Sequence, residues 1–184
     1  MPMPAAGSST KSDERRQAIV AAAIDCFAQK GFYGTTTHEI ADWVGISQPY
    51  LYRLYPNKQA LFAAAVDHVS VVMTETLRAH SPASGGAGPG SEAALDAARN
   101  GYAALVADSA ILRFLMHANC AVGEPLVAEA VRRCYAKQVD TVRQMLGDDE
   151  AVRRWFGAGM LDNVVAVLGL ADVDEPWAHV LTAQ

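Results

Sequence analysis

Cysteine is scarce: Cys26, Cys120 and Cys134 are the three among 184 residues, far apart and odd in number. That excludes a disulfide framework and a paired-cysteine zinc module, and sets a reducing compartment as the expectation. The opening "MPMPAAGSSTKSDERR" lacks the apolar centre of a secretory signal. The longest apolar runs, such as "VVAVLGLA", fall well short of the roughly 20 residues that cross a bilayer. No membrane partner is therefore expected, and a cytoplasmic location is. Strand-like alternation is missing, and so is any internal repeat. Catalytic signatures are missing as well: there are no Glu-x-x-His pairs, no Gly-x-Ser-x-Gly elbow and no phosphate loop. The Gly-rich "SPASGGAGPGS" follows no strand and precedes no Gly-Lys-Ser/Thr, so residues 81–91 read as a flexible linker. Nothing thus points to an enzyme, a cofactor or a metal. Cys134, beside Arg132 and Arg133, is a candidate nucleophile, with a small core residue as the simpler reading. His117 and Cys120 are three apart, but no second ligand pair accompanies them.

Net charge is −5, which taken alone disfavours a nucleic-acid partner. Its distribution matters more. Residues 1–60 sum to +1 and the remainder to −6, so the acidic excess lies outside the N-terminal third.

What is present is helical period. Residues 1–12 read as a disordered arm. From Asp13, Ile19, Ala23, Cys26 and Phe27 recur at helical steps, and "KGFYG" ends the run with Gly31 free to turn left-handed. Thr36 and Glu39 have the spacing of a capping box for a short helix with Ile40, Ala41 and Val44 inside. Gly45 breaks it. Ser47 caps the next helix, which tolerates Pro49 in its first turn and buries Leu51 and Leu54. Pro56 stops it, and Asn57 caps a helix with Phe62, Val66, Val69, Met73 and Leu77 on one stripe. This gives residues 13–57 as a three-helix unit, 58–80 as a connecting helix and 92–184 as a further helical bundle. The expected fold class is all-α.

Two helices of about seven residues around a Gly-containing turn have the dimensions of a helix-turn-helix. With Leu51 and Leu54 inward, Gln48, Tyr50, Tyr52 and Arg53 reach other faces. Gln and Arg can pair with base edges, and Tyr and Arg with phosphate. Lys58 opens the following helix where a phosphate could sit. Lys11, Arg15 and Arg16 are candidates for further groove or backbone contacts. The plain alternative is a solvated helical hairpin, but three tyrosines within six residues weigh against it.

The run "AAAIDCFAQKGFYGTTTHEIADWVGISQPYLYRLYPNKQALF" resembles the DNA-binding region of the tetracycline-repressor (TetR) family of bacterial transcription regulators. The likeness rests on K-G-[FY], [TS]-T-x-x-x-[IL]-A, G-[VI]-S, L-Y and [NS]-K-x-x-L in that order, over residues 13–62. It implies a homodimer with an N-terminal DNA-binding domain and a C-terminal ligand and dimer domain. By this resemblance, Thr37 binds a phosphate. Gln48, Pro49 and Tyr50, after Ser47, lead the recognition helix. Tyr52 touches backbone or a thymine methyl, and Lys58 binds phosphate. His38 occupies a position that reads a base in some members. Arg53 and Leu54 depart from a more frequent His-Tyr pair, with Arg53 able to replace the phosphate contact. The expected partners are a palindromic double-stranded DNA operator, a second copy and a small apolar effector that releases the DNA. Residues 125–146 and 149–169 are the candidate dimer helices.

Met73, Tyr102, Phe114, Met116, His117, Cys120, Met160 and Asn163 are candidates to line an effector pocket, since methionines and aromatics make pliable apolar sites. Each can equally be plain core. An adaptor without DNA binding, or less readily an enzyme, are the competing functions.

Overall fold

In the computed structural model the described residues are 11–81 and 89–183, and all their regular structure is helical. Nine α-helices follow in chain order among these residues: α1 Lys11–Gly34, α2 Thr37–Val44, α3 Gln48–Leu54, α4 Lys58–His80, α5 Glu92–Val106, α6 Ser109–Cys120, α7 Pro125–Leu146, α8 Asp149–Leu168 and α9 Pro176–Thr182. The protein is all-α, with an N-terminal helix-turn-helix and a C-terminal helical domain.

The short helices are fixed by local chemistry. Thr36 accepts from the Glu39 amide while the Glu39 carboxylate accepts from the Thr36 amide, a reciprocal capping box. Gly45 closes α2 in the left-handed region at φ 68°. Ser47 caps α3 through the Tyr50 amide, and Asn57 caps α4 through the Ala60 amide. These caps satisfy first-turn amides that have no acceptor within their own helix.

Gly31 breaks the helical path of α1 at φ 69°, ψ −179°. A Cβ there would stand 2.9 Å from His117 Nδ1 of α6, so the close approach as well as the backbone calls for glycine.

The core joins the two halves. Phe62 of α4 is fully buried, with ring centroids of Phe27, Phe32 and Phe114 at 4.6, 5.3 and 5.0 Å. Three helices, α1, α4 and α6, meet in this cluster. Beyond it α4 packs along α7 and α5. By length and composition α4 would also suit a membrane crossing, which the sequence reading did not anticipate, but half of its most apolar stretch is buried inside the protein.

Of the arm expected over residues 1–12, residues 1–10 lie outside the described residues, and Lys11 and Ser12 are already helical. Residues 82–88 of the expected linker also lie outside them. Its end is tied down: the Gly90 amide donates to the Met145 carbonyl at 3.1 Å, and Ser91 caps α5.

Phe62→Ala removes the ring on which three others rest, and is expected to lower unfolding free energy by about 3–5 kcal/mol in urea titration. Glu39 is held at about 2, below its ordinary 4.5, first by hydrogen bonding from Lys30 and then by the Thr36 amide and hydroxyl. A depressed carboxylate contributes stability that is full above about 4.5 and fades as pH falls towards about 2. Melting temperature followed from pH 5 down to about 2 should therefore fall less steeply in Glu39→Gln than in the native chain.

Candidate nucleic-acid interface and buried cavity

Leu51 is the buried foot of α3, and Leu54 packs half-buried against the same core. This leaves Pro49, Tyr52 and Arg53 exposed and Gln48 and Tyr50 half-exposed on the outer side.

These side chains are organised. Gln48 Nε2 donates to Thr37 Oγ1 at 2.9 Å, and the Tyr52 hydroxyl lies 2.8 Å from the same oxygen. Thr37 is buried, so it acts as the anchor that fixes Gln48 and Tyr52. The Tyr50 ring has the guanidinium of Arg53 at 5.4 Å and that of Arg15, from α1, at 5.7 Å. Two cations are thereby held beside one aromatic ring. Ser47 is spent on its cap, and His38 is exposed, 3.3 Å from the Asp42 carboxylate one turn on.

Lys58 is also tied internally. Its Nζ donates to the carbonyls of Phe32 at 2.8 Å and Thr35 at 3.1 Å, and lies 4.5 Å from the Phe32 ring centroid. The carbonyls left over where α1 ends draw the ammonium inward. Sequence spacing placed this lysine correctly at the start of α4 but could not show those acceptors.

A second feature is a cavity of about 60 Å³ lined by α4, α5, α6, α7 and α8. Of the eight pocket candidates, Met73, Tyr102, Met116, Met160 and Asn163 line it. The other three do not. Phe114 is fully buried in the aromatic cluster, His117 sits against Gly31, and Cys120 is exposed. All three lie on α6, which has two working faces. Leu115, Met116 and Asn119 look into the cavity, whereas Phe114 and His117 press on the N-terminal helices. Periodicity identified the helix as apolar but could not assign its faces.

Inside the cavity, the one proton of the Tyr102 hydroxyl has two acceptors within reach, the Gly159 carbonyl at 2.9 Å and the Asn163 side-chain oxygen. Burial pushes the Tyr102 hydroxyl well above the ordinary range, so it stays protonated and a donor. Cys134 also lines the cavity, and burial raises its thiol rather than lowering it. That is opposite to the lowered thiol an activated nucleophile needs. Gln138, on the apolar side of α7, is a buried amide at the cavity wall that reaches across to α4.

Residues 19–65 match the family described as bacterial regulatory proteins, tetR family. Over 65 residues the chain is 35% identical to the HTH-type transcriptional regulator RutR of Escherichia coli (strain K12), a stretch covering 35% of this chain and 31% of that protein. The chain thus spans about a third of the length of the curated relatives it matches. Likeness of fold runs further. A TetR-like transcriptional regulator from Rhodococcus sp. RHA1 superposes with a TM-score of 0.64 at 24% identity, covering 91% of both chains. The transcriptional regulator FadR of Bacillus subtilis, in complex with stearoyl-CoA, superposes with a TM-score of 0.66 at 14% identity, covering 91% of this chain and 94% of that one.

Lys58→Ala should lower stability by roughly 1–2 kcal/mol, because two carbonyls lose a charged donor. Lys58→Met keeps the stem beside Phe32 and loses only the donors. Chemical denaturation of both variants checks the assignment: native stability in the methionine variant would show that the carbonyl bonds contribute nothing.

Proposed function

We propose that this chain, whose residues 19–65 are a tetR-family helix-turn-helix segment, is a cytoplasmic ligand-responsive regulator of transcription that binds a palindromic operator as a homodimer. The observation that carries the reading is α3 itself. An apolar underside seats it, and Gln48, Tyr52 and Arg53 project from the other side with their positions fixed by Thr37 and Tyr50. A helix held this way fits the major groove, with Gln48 at base edges and Tyr52 and Arg53 at phosphate or sugar. Lys58 keeps one ammonium proton beyond its two carbonyls, and Arg15 adds charge at the flank.

The second copy is supported by α8. Only Ala151, Val152 and Gly159 of its 20 residues are buried. Met160, Leu161, Val164 and Leu168 are exposed, and nothing lies within 4 Å of a Cβ built at Gly157. An apolar helix face with a small residue for close approach suits antiparallel pairing with its own copy. α7 contributes less to such a face, because its outward side is largely charged.

The cavity serves as the effector site, and α6 is the connecting part. A ligand that displaces its inner face moves Phe114 and His117, and with them α1 and the spacing of the two recognition helices. Successive major grooves lie about 34–36 Å apart, so a shift of a few ångströms favours the unbound state. The protein then acts as a repressor that a small apolar effector releases.

Selection of bound sequences from a random duplex pool should return an inverted repeat. Gln48→Ala should change the preferred bases, whereas Tyr52→Phe should weaken operator and random DNA alike. Equal loss on every sequence for Gln48→Ala would remove its base-reading role. Leu161→Asp combined with Val164→Asp should sediment as a monomer and lose at least tenfold in operator affinity. An unaltered dimer would move the interface elsewhere.

A further inference from the structure

Thr37 Oγ1 is where side chains of the two short helices meet. Gln48 Nε2 donates to it at 2.9 Å, and the Tyr52 hydroxyl lies 2.8 Å away. Thr37 is buried, and among the described residues its hydroxyl has no other partner. Thr36 caps α2, so the Thr37 hydroxyl is not committed to the helix end.

A hydroxyl carries one proton, and each end of an amide either donates or accepts. Two orders of bonds satisfy all these groups. In the first, Tyr52 donates outward, Thr37 donates to the Tyr52 oxygen, and Gln48 Nε2 donates to Thr37. Gln48 Oε1 then faces away from Thr37. In the second, Tyr52 donates to Thr37, Thr37 donates to Gln48 Oε1, and Nε2 faces away. Having both neighbours donate to Thr37 would strand its own proton in a buried site, at the cost of a hydrogen bond.

A phosphate decides between the two orders, because its oxygens can only accept. Tyr52 is 43% exposed and can reach one. Its proton then goes to the phosphate, its oxygen takes the Thr37 proton, and the Thr37 oxygen takes a proton from Nε2. Gln48 already stands with Nε2 toward Thr37.

We propose that Thr37 is a positioning residue for base readout. It turns Gln48 so that Oε1 faces the groove, and Gln48 thereby selects an exocyclic amine, N6 of adenine or N4 of cytosine, on the strand it faces. Guanine O6 and thymine O4 would set a second acceptor against Oε1 and are disfavoured. This rests on the reading of α3 as the helix in the major groove, and adds the chemical group that its leading residue reads. In Tyr52→Phe a water between phosphate and Thr37 keeps the same polarity, so that variant still loses affinity on all sequences alike.

The test uses the full-length chain. Selection from a random duplex pool gives the operator, and the base pair whose preference disappears in Gln48→Ala is the one Gln48 reads. At that pair the amine is deleted, with purine replacing adenine or pyrimidin-2-one replacing cytosine. Separately the acceptor is deleted, with 5-methylpyrimidin-2-one replacing thymine or 2-aminopurine replacing guanine. Amine deletion should weaken the native chain about tenfold more than it weakens Gln48→Ala, and acceptor deletion should affect the two equally. Gln48→Glu keeps an acceptor without the donor, so it should keep the preferred base pair at lower overall affinity. Thr37→Val frees the amide to turn. It should bring the four base pairs at that position within about threefold of one another, and Thr37→Ser should restore the preference. Helical circular dichroism and unchanged binding to random DNA check that Thr37→Val folds; if it does not, the base deletions and Gln48→Glu still decide. A loss on acceptor deletion, or a new preferred pair in Gln48→Glu, means that Nε2 faces the groove and overturns the proposal. A preference that survives Thr37→Val, or no base pair that depends on Gln48, overturns it as well. An enriched inverted repeat would leave the operator-binding reading standing in each of these cases. A pool that yields no enriched sequence refutes that reading and the proposal together.

Discussion

Four phenylalanine rings hold this molecule in one piece. Phe27 and Phe32 come from α1, Phe62 from α4 and Phe114 from α6, and their centroids lie within 4.6–6.4 Å of a neighbour. Edge-to-face and tilted contacts at these distances are directional, so each ring constrains the angle of the next as well as its depth. The helix-turn-helix has little core of its own beyond Ile40, Ala41 and Leu51. It borrows the remainder from helices that also shape the cavity. Whatever moves α6 must therefore repack aromatic rings at the base of the DNA-facing unit, because a close-packed interior offers no slack to absorb the shift.

Much of the N-terminal unit was legible in the sequence because its determinants are short-range. Thr36 with Glu39, Ser47 with Tyr50 and Asn57 with Ala60 are separated by three residues, and caps act over that distance. Gly45 and Gly147 announce helix ends for the same reason. What stayed hidden depends on partners far along the chain. Lys58 finds carbonyls 26 and 23 residues earlier. His117 meets Gly31, and Phe114 joins rings from two other helices. A helical stripe shows that a face is buried and does not show against what. Gln138 shows this most clearly. Its spacing matches the apolar face of α7, but its amide reaches across to α4 and donates to the Ser70 carbonyl and the Thr74 hydroxyl.

Electrostatics explains why a chain of net charge −5 can still suit a polyanion. The acidic residues lie mainly in the C-terminal part, where several are neutralised by neighbours: Arg133 spans Asp67 and Glu129, and Arg143 spans Asp140 and Asp149. Near α3 the balance reverses, with Arg15 and Arg53 both beside the Tyr50 ring. Holding two guanidinium groups against one ring limits their freedom before any phosphate arrives, so less side-chain entropy remains to be lost on contact.

The fit of His117 over Gly31 bears on how far this protein can be taken apart. A cut after residue 57 separates the three short-range-encoded helices neatly on paper, but it leaves behind the imidazole that occupies the space a Cβ would need. A chimera grafting these helices onto a foreign regulator would arrive with an empty notch at the bend of α1, and a foreign bulky side chain at that bend would be refused by this protein's own α6. The exchangeable module, in the sense useful to anyone building hybrid sensors, is α1 to α4 together with α6: a unit continuous in space and discontinuous along the chain.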